Sequence, residues 1–444
     1  MSDVSHAQEL AAQAVALALE HGADAAEAGA TIARRFHAEA REGEISKLER
    51  STAKSLHVRT FVAGRKASLT TSDLTADGLR DALARTIDQA RHVAADPRAG
   101  LPDAFASDAP ALDLYDQRIA ERPDEEKVEE ALALERLVRS GDARIVNSNG
   151  SNYGDAGAVT ALANSAGFAG AYRSTRASRS TGPVALDGDV KRTAHYGTAA
   201  RHFARMESVE AVAKTACERA VAMFGAKKPP TMRVPVIFDR DVAASILDDV
   251  FAAVSAANVA NANSWLVGRV GATVGSPLVT IVDDGRMAGG LGSAPFDGEG
   301  VATQKTVVFE RGVLRTYLYD TYYARKLGEA STGNSSGGGI GASNLYLEPG
   351  EPTLEELIAS TPAGVLVLDT IGFATEHASG TYSRGARGFF IRDGELAYPI
   401  DEFTIAGDYG EMLAGVDGVA NDLRFDGSIV SPSFRIAEMT VSGN

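Results

Sequence analysis

Two proline-rich interruptions set the limits of what this chain can fold into. Asp96-Pro97-Arg98-Ala99-Gly100-Leu101-Pro102 and Lys227-Lys228-Pro229-Pro230 remove backbone N–H donors and bias the residue before each proline away from helix. Neither a helix nor a central strand should therefore run through them. A chain of 444 residues also exceeds what one hydrophobic core sustains. The expected division is an N-terminal α+β domain over 1–100, a middle domain over 101–226 and a C-terminal β-rich domain over 227–444.

Within these segments the periodicities alternate. Ser5 is placed to cap a helix whose apolar side runs through Leu10, Ala14, Leu17 and Ala18 and which Gly22 can end. Leu56, Val58, Thr60 and Val62 alternate ahead of a turn at Ala63-Gly64-Arg65, which predicts an antiparallel meander, and a helix over Ala76–Ala95 follows. An acid-rich helix is expected over Asp124–Val138. From Gly154 to Ser180, small residues alternate with Val159, Leu162, Phe168 and Tyr172, a pattern of paired strands rather than of a linker. A helix over Glu207–Phe224 closes the middle segment. The last segment opens with a strand, Val234–Phe238, and a helix from Asp241 to about Asn261. Short strands follow, among them Leu278–Val282, Thr306–Glu310 before a turn at Arg311-Gly312, and Gly388–Ile391 before a turn at Asp393-Gly394. The fold class is α+β: a helix-flanked antiparallel meander, a β-rich middle, and a C-terminal domain of mixed short strands with a helix near its start.

Charge and cysteine content exclude several functions. The 44 basic and 59 acidic residues leave a net charge of −15, which repels a phosphate backbone, and the basic run Arg173, Arg176 and Arg179 has no interleaved aromatics. Direct nucleic-acid binding is not expected. One cysteine, Cys217, permits no intrachain disulfide and suits a reducing compartment. Asp3 and Glu9, with no Lys or Arg before Arg34, do not resemble a secretory signal, and no apolar run approaches a membrane span, so a cytoplasmic location is expected.

Three motifs invite catalytic readings. Gly333-Asn334-Ser335-Ser336-Gly337 matches a nucleophile elbow, with Ser335 as nucleophile and His377 as its base in a serine-hydrolase alternative. The glycines that follow, Gly338, Gly339 and Gly341, leave no helix to orient that serine. Ser51-Thr52-Ala53-Lys54 has the Ser-x-x-Lys spacing without its companion motifs. Gly337–Gly341 and Gly289-Gly290-Leu291-Gly292 are loops that can border a groove. Metal chemistry is the most informative negative: none of the eight histidines has a second one four or five residues away with a glutamate beside it, so no metal site is assigned to this chain.

Several segments in one order resemble the TldD/PmbA family, in particular its PmbA (TldE) branch. They include Ala99-Gly100-Leu101-Pro102, Pro235-Val236-Ile237-Phe238-Asp239, Gly290-Leu291-Gly292-Ser293, Pro295-Phe296-Asp297-Gly298-Glu299-Gly300, Ser343-Asn344-Leu345-Tyr346-Leu347-Glu348-Pro349-Gly350, Tyr382-Ser383-Arg384-Gly385-Ala386 and Met439-Thr440-Val441-Ser442-Gly443. In this family a TldD-type chain holds zinc through a His-Glu-x-x-x-His helix and a late cysteine. The helix after Phe238 has Asp248 and Asp249 but no histidine, and no cysteine follows Cys217, which matches the zinc-less branch.

The resemblance implies a subunit of a cytoplasmic TldD/TldE metalloprotease acting on unfolded or modified peptides, non-catalytic by itself. Zinc would lie in a TldD-type partner, with this chain in a heterodimer or as a homodimer. An extended peptide added to the β-rich domain makes Asn344, Tyr346, Gly339 and Gly341 the candidate substrate-binding residues. The alternative is a regulatory protein-binding factor, because the family has also been described as a candidate modulator of DNA gyrase.

Overall fold

The computed structural model describes residues 3–107, 110–372 and 375–443. In chain order the first half comprises α1 (Asp3–Glu20), β1 (Ala25–Arg41), β2 (Glu44–Val62), β3 (Arg65–Thr71), α2 (Ala76–His92), α3 (Gln117–Ala120), α4 (Asp124–Ser140), β4 (Ile145–Asn164), β5 (Ala169–Asp187), β6 (Val190–Thr193), β7 (Tyr196–Ala200) and α5 (Val209–Ala222). Its strands form one sheet in the order β3-β2-β1-β4-β5-β6, with β7 also on β5. Antiparallel pairing of β1 with β4, from Glu27 opposite Asn164 to Ala40 opposite Ser151, joins the sequence on both sides of the first proline-rich interruption into that sheet.

Strand period decides which face is covered. Ala26, Ala28, Ala30 and Ile32 of β1 are buried against α1 and α2, with Leu56 and Val58 of β2 in the same cluster. Tyr196, Ile145 and Ala185 pack against α4 and α5. The intervening residues, Glu27, Gly29 and Thr31, point to the opposite face. Acids in the first turn of α4, Asp124, Glu125 and Glu126, complement the helix dipole.

The second half comprises β8 (Met232–Phe238), α6 (Arg240–Val254), α7 (Ala256–Ala260), β9 (Ile281–Asp284), β10 (Lys305–Glu310), β11 (Val313–Leu314), α8 (Thr321–Leu327), β12 (Leu345–Leu347), α9 (Leu354–Ala359), β13 (Ala363–Ile371), β14 (Thr375–Glu376), β15 (Thr381–Arg392), β16 (Glu395–Asp408), α10 (Tyr409–Ala414), β17 (Val416–Val419), β18 (Ile429–Val430) and β19 (Phe434–Ser442). The pairings β13-β8-β19-β16-β15 close on themselves because β13 also pairs with β15, giving a ring of strands with no free edge on that path. A smaller sheet runs β11-β10-β9-β12-β18. Helix α6 buries Val242, Ala243, Ile246, Leu247 and Val250 in a core shared with Val236 and Val365 of the ring and Ile281 and Leu345 of the smaller sheet.

Two local expectations need correction. Helix α1 begins at Asp3, so Ser5 lies inside it instead of capping it. The helix expected to run to Asn261 breaks at Ser255 (φ −66°, ψ 119°), because Ala256 N donates to Leu318 O at 3.0 Å and leaves the helical ladder. Among the described residues no helix is long and apolar enough to cross a membrane.

Candidate functional site

A cavity of about 580 Å³ lies between the open face of the first sheet and two glycine-rich loops of the second half. Glu27, Gly29 and Thr31 of β1, His57 of β2, Thr70 of β3, Thr160 and Leu162 of β4 and Tyr172 of β5 form one wall. These residues share a face because Gly29 sits opposite both His57 and Leu162, and His57 opposite Thr70. Residues of the 292–298 and 333–343 loops form the other wall.

The second loop is a small hairpin: Ser335 bridges Ile340, Ser336 N donates to Gly339 O at 2.8 Å, and Gly341 N donates to Asn334 O at 2.8 Å. Gly337 takes a left-handed φ of +83°, which favours glycine at that corner. A Cβ on Gly337, Gly338 or Gly339 would meet nothing within 4 Å, so the tip presents bare backbone to open space. Its base is tightly held. Asn334 Nδ2 donates to Asp283 Oδ2 at 2.6 Å, Ser343 N donates to Asp283 Oδ1 at 2.8 Å, and Ser335 N donates to Asp297 Oδ2 at 2.9 Å. Burial raises Asp283 to about 6. Burial, then the neighbouring Glu299 charge, raises Asp297 to about 7 although three backbone N–H groups favour its ionised form.

Beneath the cavity wall a buried ion cluster ties the two halves together. Arg59 of β2 donates through Nε to Glu27 Oε1 at 2.5 Å and through Nη1 to Glu299 Oε1 at 2.8 Å, while Glu299 Oε2 accepts from Thr321 N at 3.0 Å. One guanidinium is thus shared by two buried carboxylates. Burial outweighs its attraction for Glu27, whose pKa rises to about 7. The other oxygen, Glu27 Oε2, is buried without a hydrogen-bond partner, as is His57 Nε2. Burial and then Arg59 lower the His57 pKa. Phe296, one residue before Asp297, is wedged edge-on against Phe168 at 5.2 Å and Tyr172 at 5.4 Å between ring centroids.

The residues singled out by sequence fall in different places. Gly341 lines the cavity; Gly339 shapes the hairpin through its carbonyl. Asn344 does not line it, being 0% exposed. Its amide donates to Asp284 O and Ser293 Oγ and accepts from Gly292 N, pinning the first glycine loop to β12. Tyr346 is also buried and packs edge-on against Phe425 beside Val282 and Val430, away from the cavity. Ser335 lies at the cavity with His57, whereas the His377 backbone accepts from Trp265 N and its ring acts on Asp248 of α6, so the structure does not assemble the Ser335–His377 pair. Ser51 and Lys54 lie on an exposed stretch of β2, Lys54 beside His6. Glu27, Arg59, Asp297 and Glu299 escaped the functional reading of the sequence. The available signals were a lone acid inside the alanine-rich start of β1 and the acid pair of Phe296-Asp297-Gly298-Glu299-Gly300.

On α6, Asp248 is exposed, while Asp249 Oδ2 accepts from Arg384 Nη2 at 2.6 Å and from the Tyr409 hydroxyl at 2.5 Å. A divalent cation at Asp249 would compete with a fixed guanidinium, and no imidazole on the helix adds a second ligand. These residues do not fit a zinc ion.

Comparison with known proteins gives consistent matches. Residues 26–94, 117–224 and 231–443 match the models of domain 1, the central domain and the C-terminal domain of the PmbA/TldA metallopeptidases. A protein named metalloprotease PmbA homolog from Haemophilus influenzae is 33% identical over 97% of this chain and 95% of its own length. The crystal structure of a candidate modulator of DNA gyrase from Bacteroides thetaiotaomicron superposes with a TM-score of 0.93 at 27% identity, covering 100% of both chains. TldE from Thermococcus kodakarensis shares the fold at a TM-score of 0.88 and 21% identity, over 97% of this chain and 99% of its own.

Proposed function

This chain belongs to the PmbA/TldA metallopeptidase family, and on that premise we propose that it is the zinc-less subunit of a two-chain metalloprotease. The observation that carries the proposal is the commitment of Asp249 to Arg384 and Tyr409 on a helix without histidine. Zinc and the activated water would then come from a TldD-type partner, and this chain would contribute peptide binding. The cavity supports that role: its glycine hairpin offers main-chain groups with no side chains in front of them, which suits recognition of an extended backbone over a particular sequence.

The test is to purify the tagged chain from its own host, identify stoichiometric companions by mass spectrometry and measure bound zinc. The expected result is a companion carrying His-Glu-x-x-x-His and about one zinc per pair. Stoichiometric zinc and peptidase activity in the isolated chain would overturn the proposal. A regulatory reading draws on the name of the Bacteroides structure; the net charge of −15 would direct such a role to protein rather than DNA contacts. Binding to purified gyrase subunits with no metallopeptidase companion would favour it.

A further inference from the structure

The cavity is rich in acceptors and short of cations. Arg59 and Lys66 of β3 act on Glu27 and Asp320, whereas the charge acting on Asp297 is that of Glu299. Glu27 and Asp297 both contribute to the cavity wall. Glu27 is 2% exposed, and Arg59 occupies only one of its two carboxyl oxygens. Hydroxyls of Thr31, Thr160 and Ser336 line the same space.

A carboxylate oxygen buried without a donor is costly, and a ligand donor that reaches it recovers that cost. Among the described residues no three His, Cys, Asp or Glu side chains are grouped to hold a metal ion. A primary ammonium fits: it carries one positive charge and three donors, enough for Glu27 Oε2 and neighbouring hydroxyls. We propose that the cavity between the first sheet and the glycine hairpin binds the protonated amino group of a peptide, with Glu27 as its counter-ion. This assignment rests on the peptide-binding role above and names the end or side chain of the peptide that enters. The ammonium group can come from the amino terminus or from a lysine.

Calorimetric titration of the full chain with three forms of one short Ala/Ser peptide decides the matter. The forms carry a free amino terminus, an acetylated terminus, or an acetylated terminus with one lysine. At least one ammonium-bearing form should bind about tenfold or more tightly than the acetylated form without lysine, and the tighter arm identifies the source. Glu27→Gln should erase the difference, and a preference that survives it overturns the role of Glu27. The three-peptide comparison on the unmodified chain stands even if that variant does not fold. Equal binding of all three overturns the ammonium assignment and leaves peptide binding intact, whereas no binding by any removes both.

Discussion

Replacing Glu299 with alanine isolates the contact that joins the two halves of the molecule. Side chains of Arg59 and Glu299 are 9% and 4% exposed and meet at 2.8 Å, so little water is available to replace the lost carboxylate. At an effective dielectric of about 20, the attraction across that distance is about 6 kcal/mol. Part of this is offset because the variant no longer buries the Glu299 charge. The remaining terms leave Arg59 with Glu27 alone and Thr321 N without its acceptor. Breaking a buried pair from one side costs about 3–5 kcal/mol, and that is the expected loss. Glu438→Ala is the matched control, because Arg233 and Glu438 meet at 2.7 Å but are 69% and 56% exposed. An exposed pair of this kind contributes about 0–1 kcal/mol. Urea unfolding followed by the fluorescence of Trp265, the one tryptophan, reports the second half, and circular dichroism reports both. Adding Arg59→Met to Glu299→Leu should recover much of the loss, since Glu27 can then bury its neutral form. A Glu299→Ala loss no larger than that of Glu438→Ala would refute the reasoning.

Asp297 and Glu27 have pKa values raised to about 7, so between the ordinary carboxylate range and neutrality the folded chain holds protons that the unfolded chain has released. Their contribution to stability is present in full below that range and is lost as pH rises through about 7; Asp297→Asn should flatten this slope in urea midpoints measured from about pH 5 to 8, and an unchanged slope would contradict it. A Cβ on Gly292 would lie 1.8 Å from Ser343 O, whereas one on Gly338 would meet nothing within 4 Å. Gly292→Ala should therefore cost about 1–3 kcal/mol and Gly338→Ala about 0.5 kcal/mol or less in the same assay. The Tyr196 hydroxyl meets Glu207, Arg240 and Arg424, tying β7 to the second half. Tyr196→Phe should cost about 1–3 kcal/mol and separate the dichroism transition from the Trp265 transition.

What could be read from sequence follows the range of the interactions involved. The turns at Ala63-Gly64, Arg311-Gly312 and Asp393-Gly394 were legible because each places two successive residues at positive φ (48° and 72°, 48° and 80°, 53° and 78°), a local demand that selects glycine at the second position. Helix α4 was legible for the same kind of reason, through acids at its start and an apolar stripe. Pairing of β1 with β4 was not, because register between strands more than a hundred residues apart depends on which faces are buried, and alanine-rich strands signal that weakly. Ser255 breaks its helix through a bond to a distant backbone, which no local propensity encodes. The site obeys the same division. Gly337, Gly338, Gly339 and Gly341 announce a loop, but what the loop faces is set by Asp283 and Asp297 holding its base. Asn344 looked like a ligand-binding amide and is a structural pin, because a side chain's burial rather than its type decides whether its donors meet solvent or backbone. Glu27 illustrates the converse. In sequence it is one acid in an acidic chain; folding gives it chemistry by excluding water and by making it share Arg59 with Glu299. The Arg59–Glu299 contact that fastens the first sheet to the second half belongs to the same buried cluster as Glu27, whose Oε2 has no hydrogen-bond partner, so loss of Glu299 should change ammonium binding as well as stability.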